Sequence, residues 1–218
     1  QCKIIFPTES FVIHKPSFSI SGYGDEGAAN HLRISKSNNE KGFEVFVYGE
    51  SGFKNDKSSV KRQALEISRS IAVNHKLDME KTFFLQQNHE AIKQGSFHND
   101  IVSLSNENVF IAHENAFQNK DDLKKMLNIL ESKIDNFQYI EISNSEIPLE
   151  DIISSYLLNS QLITNGDNEM QLILPEEVKG FENCMSWLDK LKQISDVKLF
   201  NFVDIRQSMM NGGGPACL

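Results

Sequence analysis

The chain is 218 residues long, with a formal charge of −8 at pH 7 and 39% hydrophobic residues, enough for one substantial core or two small ones. Its acidic balance and scattered Lys and Arg argue against a nucleic-acid partner, which a basic stripe would signal. Apolar runs such as Tyr156–Leu158 and Leu172–Leu174 are far too short to span a bilayer and argue against a membrane partner. The opening Gln1-Cys2-Lys3-Ile4-Ile5-Phe6-Pro7 has neither an initiator Met nor the layout of a signal peptide, and reads as the start of a fragment. Cys2, Cys184 and Cys217 are odd in number and widely spaced, which suggests neither a disulfide framework nor a metal site. A reducing, cytoplasmic compartment is the inference. Cys184 reads as a small buried side chain on a helix.

In chain order, Phe43–Tyr48 is rich in β-formers, lies between Gly42 and Gly49, and predicts a strand. Apolar residues at helical spacing from Val60 to Ala72 predict a helix over Ser58–Asn74, capped by Ser58 or Ser59. Thr82–Gln86, Asp100–Leu104 and Val109–Ala112 are short extended segments expected to pair as a hairpin or meander, with the last turn at Ser105–Asn108. Lys120–Ile134 places Leu123, Met126, Leu127, Leu130 and Ile134 on one helical face, and Phe137–Ile142 follows as a strand. Ile152–Leu158 and Gln171–Leu174 read as extended. Pro175 and two glutamates then open a helix to about Ile194, and Val197–Val203 closes as a strand. The order strand, strand, helix, strand recurs in units of roughly 60 to 80 residues, which implies α/β modules. The rival on pattern alone is a Rossmann-like parallel sheet, weakened because no Gly-x-Gly-x-x-Gly leads a strand into a helix.

Three segments carry chemistry. Asn211-Gly212-Gly213-Gly214-Pro215-Ala216-Cys217 is a loop of great backbone freedom ending in a thiol, through which main chain can approach a ligand closely. The plain alternative is a flexible linker with an incidental Cys. In Phe97-His98-Asn99-Asp100, His98 and Asp100 share one face if the segment is extended. An imidazole can shuttle a proton at neutral pH, and a carboxylate can hold a guanidinium by two parallel hydrogen bonds. Otherwise His98 caps a turn. Gly24-Asp25-Glu26-Gly27-Ala28-Ala29-Asn30-His31 is turn-rich with adjacent carboxylates, and could be only a solvated turn. His31 reads as a structural hydrogen-bonding partner rather than a second base, and Arg62 could be an exposed helix charge.

These three segments, extended by Gly95–Val102 and Asp204–Met210, resemble the N-succinylarginine dihydrolases, cysteine enzymes of the guanidino-group-modifying (pentein) superfamily. The likeness runs from about Phe18 to the last residue. It includes Phe46-Val47-Tyr48-Gly49, His113-Glu114-Asn115-Ala116-Phe117 and Ser155–Leu162, which maintain the fold. It implies an α/β propeller of repeated ββαβ modules, here incomplete, with about three modules at roughly 1–80, 81–145 and 146–218. By the same resemblance Cys217 is the nucleophile, His98 the general acid/base, Glu26 the catalytic carboxylate and Asp100 a guanidinium ligand. Asn211 and Arg62 become substrate ligands, Arg62 because a succinyl carboxylate suits a planar bidentate cation. The implied reaction is hydrolysis of N2-succinyl-L-arginine to N2-succinyl-L-ornithine, ammonia and carbon dioxide, with no metal or organic cofactor, in a homodimer. Family enzymes have five modules and roughly twice this length, so the chain alone is expected to show little or no activity. The rivals are another guanidino-modifying hydrolase or amidinotransferase, and a non-catalytic scaffold or binding domain that has kept the fold.

Overall fold

The computed structural model describes residues 2–6, 9, 11–15, 28–51, 63–167, 169–210 and 215–217, with Cys2, Lys3 and Cys217 described by backbone alone. Among them, strands β1 (His31–Ile34), β2 (Phe43–Tyr48) and β3 (Thr82–Gln86) form one sheet. The second sheet is β4 (Ser103–Asn106), β5 (Val109–His113) and β6 (Gln138–Ile142), and the third is β7 (Gln161–Thr164), β8 (Met170–Pro175) and β9 (Val197–Val203). In each, the first two strands are antiparallel and the third runs parallel to the second. A parallel neighbour requires a crossover. Helices α2 (Leu65–Asn74), α4 (Lys120–Lys133) and α6 (Glu182–Ile194) supply it, and α1 (Cys2–Ile5) precedes the first sheet. Shorter helices α3 (His89–Lys93), α5 (Leu149–Ser155) and α7 (Arg206–Met209) each follow a sheet. The result is three ββαβ units, not one Rossmann-like parallel sheet.

The units stand side by side through their first strands, β1 against β4 and β4 against β7. No strand ladder joins these neighbours; polar contacts do. Ser105 Oγ donates to the Arg33 carbonyl at 3.1 Å, and the Ser35 amide to the Glu107 carbonyl at 2.9 Å. Asn106 Nδ2 donates to Thr164 Oγ1 at 2.8 Å, and that hydroxyl donates to Glu107 Oε2 at 2.7 Å. Around this polar axis the apolar faces merge into one core. β5 is buried at every position, as expected of a central strand covered on both faces. α4 turns Leu123, Met126 and Leu130 inward at helical spacing. Gly42 is needed at the β1–β2 turn, because a Cβ there would lie 2.6 Å from the Ile34 carbonyl oxygen.

Five sequence expectations are corrected. The helix expected over Ser58–Asn74 begins at Leu65. Gly49 N–H donates to the Gln63 carbonyl and Leu65 N–H to the Glu50 carbonyl, so Gln63 and Ala64 run beside the end of β2, and Ala64 stands at the N-cap position; the expected caps Ser58 and Ser59 lie outside the described residues. Thr82–Gln86 pairs with β2 instead of joining the next hairpin. The strand expected at Asp100–Leu104 starts only at Ser103, preceded by a 3-10 turn, Asn99–Ile101. That turn is fixed by the buried Asn99, whose Oδ1 accepts from Ser103 Oγ at 2.8 Å, the kind of short polar side chain that competes with a ladder. Ile152–Leu158, read as extended, lies mostly in α5. Pro148, the Asn144 Oδ1 bond to Leu149 N–H and the acidic first turn start that helix, and Tyr156 at φ 57° ends it. The helix expected from Pro175 is split into a 3-10 segment, Glu176–Gly180, and α6, with half-buried Phe181 extended between them.

Two stability measurements test this account. Asn119 caps α4, its Oδ1 accepting from Asp121 N–H at 3.0 Å and Asp122 N–H at 3.2 Å. Asn119→Ala should lower the unfolding free energy by about 1 kcal/mol in urea titration; an unchanged midpoint would make the cap dispensable. His113 is buried, its Nδ1 accepting from Asn115 N–H at 3.1 Å, so Nε2 carries the proton toward the Ile147 carbonyl at 3.1 Å. Burial pushes its pKa below the ordinary value, against the raising effect of that carbonyl. The unfolded chain therefore takes up a proton that the folded chain resists. Stability from this group is full above about pH 6.5 and declines as pH falls towards the lowered folded value. His113→Gln should shrink the loss of urea midpoint between about pH 7.5 and about pH 5.5; an undiminished loss would place the titration elsewhere.

Candidate active site

Each sheet is entered through a short lead-in turn that ends on the polar axis. Ala28–Asn30 is a 3-10 turn before β1, His98 and the turn Asn99–Ile101 precede β4, and residues 157–160 precede β7. A fourth such turn, Pro215–Cys217, follows the third sheet. The turns are tied to each other. Asn99 N–H donates to Asn30 Oδ1 at 3.2 Å, and Ala216 N–H to the Asn159 carbonyl at 3.3 Å. Asn30, Asn99 and Asn159 are all buried, one in each of the first three turns.

These turns and the first strands enclose a pocket of about 440 Å³. Ala28 and Ala29, Asp100, Leu158 and Ser160, and Ala216 line it, one group from each turn, with His31, Ser103, Ser105 and Gln161 from the strands. The small side chains of Ala28, Ala29, Ser103, Ser105 and Ala216 leave the space open, while Asp100 supplies a carboxylate. A pocket with few convergent polar groups is the usual form of a small-molecule site.

The site residues expected from sequence fall differently. Asp100 lines the pocket, half-buried. His98, also half-buried, stands at the N-cap position of the adjoining turn with extended backbone (φ −125°, ψ 157°) and is not among the lining residues. The same-face argument from a strand therefore does not hold, since His98 and Asp100 sit on a turn. Cys217 has its backbone in the fourth turn, directly after pocket-lining Ala216. Glu26, Arg62 and Asn211, with Asp25, lie outside the described residues. His31, expected to be a structural hydrogen-bonding partner, has its Nε2 2.8 Å from Glu44 Oε2 without hydrogen-bond geometry, and its ring lies against Phe46. It also lines the pocket. Ser103, Ser105, Ser160 and Gln161 were missed as lining residues; nothing in their spacing marks them before the first strands are known to meet.

Among the described residues no group of three or more His, Cys, Asp or Glu could hold a metal ion. Nor is any helix among them long and apolar enough to cross a membrane. Cys184 is fully buried on α6, its thiol 3.6 Å from Ser155 Oγ. Burial pushes the thiol up to about 11, more than the Ser155 contact lowers it.

Comparison with known proteins decides the lineage. The family model described as succinylarginine dihydrolase matches residues 1–218. The chain belongs to this family. N-succinylarginine dihydrolase of Ectopseudomonas mendocina is 40% identical, over 98% of this chain and 49% of its own length. That of Aliivibrio fischeri is 39% identical, over 99% and 50%, and that of Hahella chejuensis 41%, over 95% and 48%. This succinylarginine dihydrolase-family chain thus spans about half the length of the curated relatives it matches. A crystal structure of a cyanobacterial arginine dihydrolase superposes with a TM-score of 0.52 at 15% identity, over 88% of this chain and 23% of that one. The fold is that of the penteins, and the three ββαβ units form no closed barrel.

The burial of Cys184 gives a direct test. Iodoacetamide at about pH 8 should leave Cys184 unmodified in the native chain and modify it in denaturant, read by peptide mass spectrometry. Rapid native labelling would contradict its inert placement.

Proposed function

We propose that the chain carries the nucleophile, the proton-transfer group and the acidic cradle of a site that hydrolyses N2-succinyl-L-arginine. The products are N2-succinyl-L-ornithine, ammonia and carbon dioxide. One observation supports this above the rest: four lead-in turns far apart in sequence converge on one pocket, and three of them adjoin or contain Glu26, His98 with Asp100, and Cys217. The family assignment supports the substrate class, and the curated relatives are named for that reaction.

In this reading the Cys217 thiolate attacks the guanidinium carbon, and the tetrahedral adduct expels ammonia with a proton from His98. Water deprotonated by His98 then adds to the S-bound amidinium carbon, and the C–S bond breaks to free the thiolate and leave a ureido product. A second round with a second water releases the other ammonia and carbon dioxide. Glu26 and Asp100 hold the guanidinium by charge-assisted hydrogen bonds and turn its face towards sulfur. The bound cation also favours thiolate over thiol. Arg62 and Asn211 bind the succinyl and amino-acid parts, Arg62 through a bidentate pair with a carboxylate. No metal or organic cofactor enters these steps.

The proposal extends to organisation. The modules are taken to divide near residues 80 and 145, within an incomplete propeller, with β3 (Thr82–Gln86) reaching back to complete the first sheet. The working form is a cytoplasmic homodimer with a small-molecule substrate and no nucleic-acid partner. Little turnover is expected of this chain by itself, so binding and chemistry are tested separately. N2-succinyl-L-arginine should slow alkylation of Cys217 in this chain, whereas free arginine and dimethylarginine should protect less; equal protection by all three would move the substrate class. In any form that turns over, Cys217→Ser should abolish ammonia release and keep substrate binding, and retained release would remove Cys217 from the mechanism.

A further inference from the structure

A second pocket, of about 320 Å³, lies beside the β1–β2 turn and the segment leading into β3, and shares no lining residue with the first. Arg33, Lys41, Lys76 and Lys81 line it together with Glu44 and Asp78. Cations therefore outnumber carboxylates at this spot of a chain whose net charge is −8. The carboxylates face other groups of the first unit. Glu44 lies 2.8 Å from His31 Nε2 and 3.8 Å from Arg33 Nε, and Asp78 Oδ1 accepts from Glu80 N–H at 3.0 Å. Arg33 is held in place by the Glu40 carbonyl and by Ser35 Oγ at 3.3 Å. Among the described residues Lys41, Lys76 and Lys81 form no ion pair; Lys81 has only the Phe43 ring, 5.9 Å from its Nζ.

Three ammonium groups and a pre-positioned guanidinium share one cavity with only two carboxylates, and the excess positive charge repels itself. The geometry points to a binding site for a small multivalent oxyanion, of the phosphate or polycarboxylate class, in this pocket. A bound anion would relieve that repulsion, with Arg33 offering the directional N–H donors and the lysines point charges. Gly42 lets the main chain of the turn approach closely at the pocket rim. The inference is independent of the proposed hydrolase activity.

The test is titration of the full, 15N-labelled chain with inorganic phosphate, succinate and chloride at equal ionic strength, following the Gly42 and Leu77 amides. Phosphate or succinate should saturate and chloride should not; the tighter of the two names the class. Lys41→Gln/Lys76→Gln should weaken binding by roughly tenfold or more, as expected when charge-assisted contacts are removed. Lys124→Gln/Lys133→Gln on exposed positions of α4 should leave it unchanged. A chloride-like response, a curve the pocket variant does not alter, or equal weakening by the α4 variant would each overturn the site.

Discussion

The whole arrangement depends on how the first strands of three sheets meet without forming a sheet. Backbone pairing between β1, β4 and β7 would flatten the units into one ladder. Instead, isolated bonds bridge them: the Ser35 amide to the Glu107 carbonyl, Ser105 to the Arg33 carbonyl, Asn106 to Thr164, and Thr164 to Glu107. Each such bond pairs part-buried polar groups on the axis and contributes about 0.5 to 1.5 kcal/mol. Because the bridges are short and polar, the strands cannot slide, and every lead-in turn arrives at the same end of the axis. The pocket is a consequence of that register.

Polar axis and apolar core divide the work. The apolar residues fill the space between sheets and helices, from Val45 through Phe110 and Leu130 to Leu172 and Trp187, and give the units no reason to prefer one chemistry over another. The titratable groups inside that mass are quiet. His113 is kept neutral by burial and fixed as one tautomer by Asn115, and the Cys184 thiol is raised beyond reach at neutral pH.

Much of this was legible in the residues, for identifiable reasons. Phe43–Tyr48 and Val197–Val203 matched their strands because β-formers fill both and the flanks punctuate them. Lys120–Ile134 matched α4 because its apolar face is regular over several turns. Failures cluster where tertiary contacts outbid local preference. Ile152 and Ile153 look like strand residues, but the preceding Pro148 and the Asn144 bond start a helix. Asp100 looks like the first residue of a strand, but Asn99 pairs with Ser103 and Asn30 and bends the chain first. β7, with four residues, is too short to carry a periodic signal. The pocket itself could be read only as chemistry at separate motifs; convergence requires knowing that the sheets share an axis.

The turn at Asn99 presents His98 and Asp100 differently from an extended strand. On an extended strand, His98 and Asp100 would project in parallel from one rigid ladder. On a turn tied to Asn30, Asp100 is directed into the pocket while the position of His98 is coupled, through the Asn99 amide, to the segment that follows Glu26. The segment at His98 and the turn Ala28–Asn30 are held to each other by that bond, and the fourth turn is pinned by Ala216 to Asn159 in the same way. Groups that must meet around one planar cation are better kept in register by such mutual ties between turns than by a strand that fixes only its own side chains.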